Sequence, residues 1–488
     1  MSFIKFIKLC SLFLLLLILI SLSACGRRSP GPGGAGITRR EQAPFIPVPE
    51  VLTVLAHESH YDWFRLAESR MAETWREARR GDFILELTMY SMDIENALDT
   101  FDYFMSLETM LMEGYNIDYD MLMFPPFNRT WWDVRLMGQA GVLADIFNLI
   151  DWCRYRGHDD YFTGAFNMFT FGERLYGFPL NFYFEYIAIN SKLPERFIDR
   201  FKSFDYVNSE QLMKIYFELM EYYPYEFGHL AFVNSKPSSN LRDLNTLIWH
   251  RTTGFVDLAA GTSNLQDEGF INYLEYVRRL FPRRWDTALY VSAFGGLMSQ
   301  HDMSVRAEQF VFLLASDGSA AINAFLPHEY PYFVHFIPLS NECGELMARS
   351  NFIFCFPEAG NSTLAWEFMQ YLQTALIELF GFPGGIGAWL LTGFSIPIAQ
   401  DLFGTHFENW FSSRDAVFQF SGVRYRIDEN MDDILARLYM YSQMPAAPLP
   451  LISEFIVSWT TESLFNGTQT AEETARLLHY NMVFMLSE

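Results

Sequence analysis

The chain has 488 residues, half of them apolar and 17% aromatic, and sets 35 Lys+Arg against 58 Asp+Glu for a formal net charge of −23. That composition excludes a disordered or collagen-like chain, and the acidic balance argues against a surface built to hold nucleic acid or another polyanion. Five cysteines without paired spacing suggest neither a disulfide framework nor a zinc module.

The first element in chain order is a leader. Lys5 and Lys8 precede an apolar run from Leu9 to Ile20, and Leu22-Ser23-Ala24-Cys25-Gly26 follows. A basic start, a short apolar stretch and small residues make a secretory signal, and the cysteine at that junction resembles a bacterial lipobox. The run is shorter than the roughly 20 residues a spanning helix needs. The expectation is a signal peptide over residues 1–24 and lipid on Cys25, which anchors the remainder to the cell membrane on its extracytoplasmic face. Residues 25–49 are rich in glycine and proline and read as a flexible tether with a reach on the order of 25 Å. Arg27, Arg28, Arg39 and Arg40 are placed to rest against anionic headgroups.

The body of roughly 440 residues is too long for one compact core and long enough for two lobes. Val51 to Ala56 is a β-branched apolar run and reads as a buried strand. Phe64, Ala67, Met71, Trp75 and Ala78 recur at helical spacing until Gly81. Phe83 to Tyr90 reads as a second strand, Ile94 to Met105 as a helix ended near Gly114, and Tyr119 to Phe124 as a third strand. This βαβαβ order predicts a parallel sheet, whose ligands gather beyond the carboxyl ends of its strands. Those ends carry His57-Glu58, Tyr90-Ser91 and Phe124-Pro125-Pro126-Phe127. His57, Glu58 and Phe124 are therefore candidate ligand contacts.

Further landmarks follow in order: Gly141-Val142-Leu143-Ala144-Asp145-Ile146, Glu173-Arg174-Leu175-Tyr176-Gly177-Phe178-Pro179-Leu180, Ala188-Ile189-Asn190 and Asp317-Gly318-Ser319-Ala320-Ala321-Ile322. Next come Phe336-Ile337-Pro338-Leu339 and the segment Asn361 to Leu372, where Leu364, Phe368 and Leu372 share a helix face and Asn361 suits its cap. Last is Phe465 to Ala475, with Thr470 and Glu473 at capping-box spacing. This series resembles extracellular solute-binding proteins of family 1, the sugar-type substrate-binding lipoproteins of bacterial ABC transporters. The resemblance covers roughly Val51 to Met482, with Ser191 after Asn190 where many relatives carry lysine.

The resemblance implies an α/β, periplasmic-binding-protein-like fold of type II, with two lobes, each a mostly parallel sheet flanked by helices, joined by a hinge. The expected N-terminal lobe is 50–185 plus 335–390, and the C-terminal lobe is 186–334 plus 391–488. Chain crossings are expected near Phe184 to Asn190, Cys343 to Phe354 and Trp389 to Ile396. It also implies a small solute of the sugar or oligosaccharide class and ABC permease subunits as partners.

Signatures of catalysis are missing. His57-Glu58-Ser59-His60 lacks the spacing that puts two zinc ligands one helical turn apart, and Gly393-Phe394-Ser395 has Pro397 where a nucleophile elbow needs glycine. No cofactor or metal is expected, and the chain is expected not to be an enzyme. A secreted glycosidase, needing only two carboxylates across a cleft, and a tethered sensor without transport are the alternatives. For sugar binding the material is aromatic, because rings offer C–H faces to Trp and Tyr while hydroxyls need amides and acids. Trp131-Trp132-Asp133, Asn181-Phe182-Tyr183-Phe184-Glu185 and Trp389 mix these types most densely, so Trp131, Trp132, Asn181, Tyr183, Glu185 and Trp389 complete the candidate set.

Overall fold

The computed structural model describes residues 49–78, 80–90, 97–114, 117–124, 130–152, 156–233, 247–248, 250–257, 261–280, 309–315, 332–350, 352–380, 396–407, 431–448, 457 and 460–487. The leader and residues 25–48 of the tether, Cys25 among them, lie outside these, as do Asp317 to Ile322 and Trp389. Among the described residues no helix is long and apolar enough to cross a membrane.

In chain order the strands are β1 Glu50–His57, β2 Phe83–Tyr90, β3 Met121–Phe124, β4 Thr170–Phe171, β5 Arg174–Leu175, β6 Phe178–Pro179, β7 Asn181–Phe184, β8 Tyr186–Asn190 and β9 Ala231–Val233. They continue as β10 Val256–Asp257, β11 Thr262–Ser263, β12 Phe310–Ala315, β13 Phe333–Pro338, β14 Leu346–Arg349, β15 Ile353–Cys355, β16 Ile396–Pro397 and β17 Ala446–Pro448.

The first sheet has the order β2-β1-β3-β15-β6. Its opening strands pair in parallel, β1 with both β2 and β3, as the βαβαβ pattern requires. The helix Tyr61–Glu77 buries Trp63, Phe64, Ala67, Met71 and Trp75 on one face, and Gly81 follows it at φ +108°, a left-handed conformation that favours glycine. Opposite it packs the helix Ser362–Phe380, whose first turn is capped by Asn361: its side-chain oxygen accepts the Leu364 N–H at 3.2 Å. The Trp63 indole donates to the Leu372 carbonyl at 2.6 Å, tying the two helices together.

The second sheet, β13-β8-β12-β9, departs from the expected mostly parallel lobe. Only β12 and β9 run parallel, while β8 is antiparallel to both neighbours. The cause is topological, because β8 follows β7 through the single residue Glu185 and so enters its sheet from the opposite end to β12 and β13. A third sheet, β16-β7-β14-β17, joins segments far apart in sequence.

Two hydrophobic cores result, and among the described residues five strands serve both; two of them are β12, with Leu313 in the first core and Phe312 in the second, and β13, with Phe336 in the first and Ile337 in the second. In β8, Tyr186 and Ala188 belong to the first core and Ile187 and Ile189 to the second. Likewise Leu346 and Ala348 of β14 face the first core and Met347 the second, and Ala446 and Ala447 of β17 divide in the same way. Alternate side chains of a strand leave on opposite faces, so these strands form the wall between the cores. Residues of 396–446 pack into the first core and those of 457–482 into the second, although the sequence partition puts all of 391–488 in the C-terminal lobe. At the end of the chain, Thr470 and Glu473 close the capping box on the helix Ala471–Ser487: Glu473 N–H donates to Thr470 Oγ1 at 3.1 Å and Thr470 N–H to Glu473 Oε2 at 2.9 Å.

Candidate functional site

The carboxyl ends of β1, β2 and β3 converge on a cluster of rings. His57 ends β1 and lies 5.2 Å, centroid to centroid, from Tyr90 at the end of β2, edge to face. Tyr90 in turn meets Phe104 at 4.9 Å, and Phe104 meets Phe124 at the end of β3 at 5.4 Å. The Tyr90 hydroxyl donates to the Met123 carbonyl at 2.9 Å, and burial pushes its pKa well above the ordinary phenolic value.

Beyond β1 the chain turns through a short 3-10 segment, Glu58–His60. His57 caps it, accepting the Ser59 backbone N–H at Nδ1 over 3.2 Å and so satisfying a donor that a helix start leaves without an internal partner. The Ser59 hydroxyl also joins His57 Nδ1 to His60 Nδ1, the latter at 2.8 Å. His60 is buried against Phe352 at 4.4 Å and Trp63 at 5.3 Å. Burial, aided by the neighbouring His57, lowers its pKa from 6.5 to about 3, so it is neutral at physiological pH. Glu58 is exposed at the mouth of this turn.

The second group sits where β7 passes into β8. Asn181 is buried and Tyr183 half-buried on β7, and Arg349 of β14 is the antiparallel partner of Tyr183. Glu185 is 0% exposed. Its Oε1 accepts from Arg349 Nη2 at 2.8 Å and Nε at 3.0 Å, and its Oε2 lies 3.5 Å from His250 Nε2. Its backbone is used as well, the N–H donating to the Met347 carbonyl and the carbonyl accepting from Leu339 N–H. Burial alone pushes the Glu185 carboxyl up, but Arg349 and His250 together hold it below the ordinary carboxylate value.

A short link brings the two groups together. Arg349 ends β14, Phe352 precedes β15, and the Ser350 hydroxyl donates to the Phe352 carbonyl at 2.7 Å within the connecting turn. Three residues of chain hold their Cα atoms within about 11 Å. Ile353 then pairs with Phe124, returning the segment to the first sheet.

Of the sequence candidates, His57, Glu58 and Phe124 thus lie at the sheet edge and Asn181, Tyr183 and Glu185 at the crossing. Trp131 and Trp132 fall on the helix Thr130–Gln139, and Trp389 lies outside the described residues. Sequence reasoning missed His60, Phe352, Arg349 and His250 as members of these groups. Arg349 and Phe352 lie inside the segment marked as a crossing, which is the one signal that could have singled them out. Among the described residues no cluster of three His, Cys, Asp or Glu side chains could hold a metal ion.

No protein-family model matches the sequence, and no curated protein matches it. The fold does have solved counterparts. The sugar-binding protein MalE from Xanthomonas citri, 10% identical, aligns with a TM-score of 0.54 over 90% of this chain and 98% of that one. An extracellular solute-binding protein of family 1 from Alicyclobacillus acidocaldarius, 11% identical, aligns with 0.50 over 91% and 99%. A de novo designed cysteine esterase, 10% identical, aligns with 0.55 over 91% and 98%, so the fold alone does not decide between binding and catalysis. The chain has the α/β, two-lobed fold of periplasmic binding proteins, and solute-binding proteins of family 1 are among its structural counterparts, as the sequence landmarks imply.

Proposed function

We propose that this protein is a lipid-anchored, extracytoplasmic solute-binding protein that captures a carbohydrate between two lobes and passes it to the permease of an ABC importer. The observation that carries the reading is the pair of cores divided by the shared strands β8, β12, β13, β14 and β17, with Glu185 and Arg349 clasped where β7 passes into β8. Two packed bodies on either side of a shared wall of strands are an architecture that can close around a ligand by hinge or shear motion. Support for a sugar comes from the sugar-binding MalE sharing this fold, from the family 1 landmarks, and from rings beside an acid at the first site group and beside an amide and an acid at the second. The lipobox-like junction at Cys25 supports the anchor.

In this reading the first lobe is built on 50–185, 346–380 and 396–446, and the second on 186–339 and 457–487. His57, Glu58, Phe124, Asn181 and Tyr183 line the solute side. Glu185 acts through Arg349, holding that guanidinium at the crossing. The test is a thermal-shift screen of the chain against monosaccharides, oligosaccharides, peptides and polyamines. A sugar in 100-fold excess over its dissociation constant adds about 2.7 kcal/mol to stability. Response to peptides or polyamines alone refutes the carbohydrate, and hydrolysed sugar in the mixture refutes a pure binding role. Tyr183→Ala is expected to weaken sugar binding by about 1–3 kcal/mol if that ring stacks on the solute.

A further inference from the structure

Among the described residues β2 is the outermost strand of the first sheet, with β1 on its paired side. In a parallel pair, alternate residues turn their N–H and C=O toward the neighbour and the others turn theirs away. Leu85 is one that turns away. Its N–H donates to Glu68 Oε1 at 3.2 Å, and its carbonyl accepts from Arg65 Nη1 at 3.3 Å. Both side chains come from the helix Tyr61–Glu77, three residues apart and so on one face. They hold each other through Arg65 Nη1 and Glu68 Oε2 at 2.6 Å, and the guanidinium is further restrained 5.2 Å from the Tyr61 ring centroid. Leu85 therefore meets one donor and one acceptor from side chains, the pair that a neighbouring strand would offer from its backbone.

An outermost strand with open backbone groups is a template for a strand of another molecule. The sequence of β2 makes it a strong one: Phe83-Ile84-Leu85-Glu86-Leu87-Thr88-Met89-Tyr90 has no glycine or proline and Glu86 as its one charged residue. Ile84 is 41% exposed and adds an apolar side chain to that surface. We propose that Arg65 and Glu68 are a guard on β2, occupying the outward N–H and C=O of Leu85 so that β2 of a second copy of this chain cannot pair with it. The guard works in the middle of the strand, where a gap in the ladder interrupts pairing on both sides. The pair acts this way whether or not the chain binds a sugar.

The experiment compares the full chain with its Arg65→Ala/Glu68→Ala variant by sedimentation velocity over a concentration series and by amide hydrogen exchange. In the variant the Leu85 amide should exchange at least about tenfold faster at low concentration, the weight of one lost hydrogen bond to a charged group. The variant should also shift toward dimers and larger species as concentration rises, beyond any shift in the wild type. Adding Ile84→Lys puts a charge on the strand at a side chain outside both cores and should return the variant to the wild-type profile. A double variant that sediments as the wild type does at every concentration overturns the proposal, even if its Leu85 amide exchanges faster. Association that Ile84→Lys leaves in place also overturns it. So does association accompanied by loss of the cooperative melting transition, because the unfolded chain and not the native strand is then what associates.

Discussion

Arg349→Met tests the clasp at the chain crossing. The substitution removes both guanidinium donors, at 2.8 and 3.0 Å, from a carboxylate with 0% exposure, and His250 at 3.5 Å is the remaining basic group beside it. Breaking a buried pair strands one charge in a low-dielectric setting and costs about 3–5 kcal/mol, whereas replacing both partners by apolar groups is often close to neutral. In urea titrations followed by tryptophan fluorescence, Arg349→Met and Glu185→Leu should each lose about 3 kcal/mol or more, and the double variant should lose less than either. The pH dependence should also invert. In the native protein the Glu185 carboxyl sits below its ordinary value, so its contribution is present above about pH 4.5 and is lost as pH falls below that. Without Arg349 burial dominates and raises the carboxyl, so the variant should be least impaired in acid and worsen as pH rises. Additive single losses below about 1 kcal/mol each, with no change in pH slope, would refute the clasp.

Three further predictions are separable. His60, lowered to about 3, contributes stability that is complete above about pH 6.5 and is lost as pH falls toward 3, at about 1.4 kcal/mol per unit; His60→Leu should flatten that slope in denaturation midpoints measured between pH 6 and 4. Gly164→Ala places a Cβ 2.0 Å from the Met444 carbonyl oxygen, which is backbone and cannot swing aside, so a loss of about 1–3 kcal/mol by calorimetry is expected. Cys25→Ser should leave the protein unprocessed or absent from the membrane fraction on immunoblots, and unchanged processing and retention would remove the anchor from the account.

Local signals were legible wherever the physics is local. The apolar run Phe83–Tyr90 is a strand over those residues, Gly81 and Gly114 follow the ends of their helices at positive φ, and Asn361 and the Thr470–Glu473 box cap the helices they were read to cap. The parallel start of the first sheet follows from the alternation of strand and helix. The antiparallel second sheet does not, because β8 owes its direction to the crossing at Glu185 rather than to its own sequence. Site composition was legible only in part, for the same reason. An acid among aromatics looks like a sugar contact, and only Arg349, 164 residues away, and His250 make Glu185 a buried ion-pair partner. Phe352 is invisible as a neighbour of His57 and His60 until β15 pairs with β3.

The central claim is capture of a sugar by closure of two lobes. Small-angle X-ray scattering of the chain, with and without a saturating sugar from the thermal-shift screen, tests it most directly. The account predicts a smaller radius of gyration in the bound state, with the sugar recovered intact. Superimposable curves at saturation, or recovery of a cleaved sugar, would contradict it.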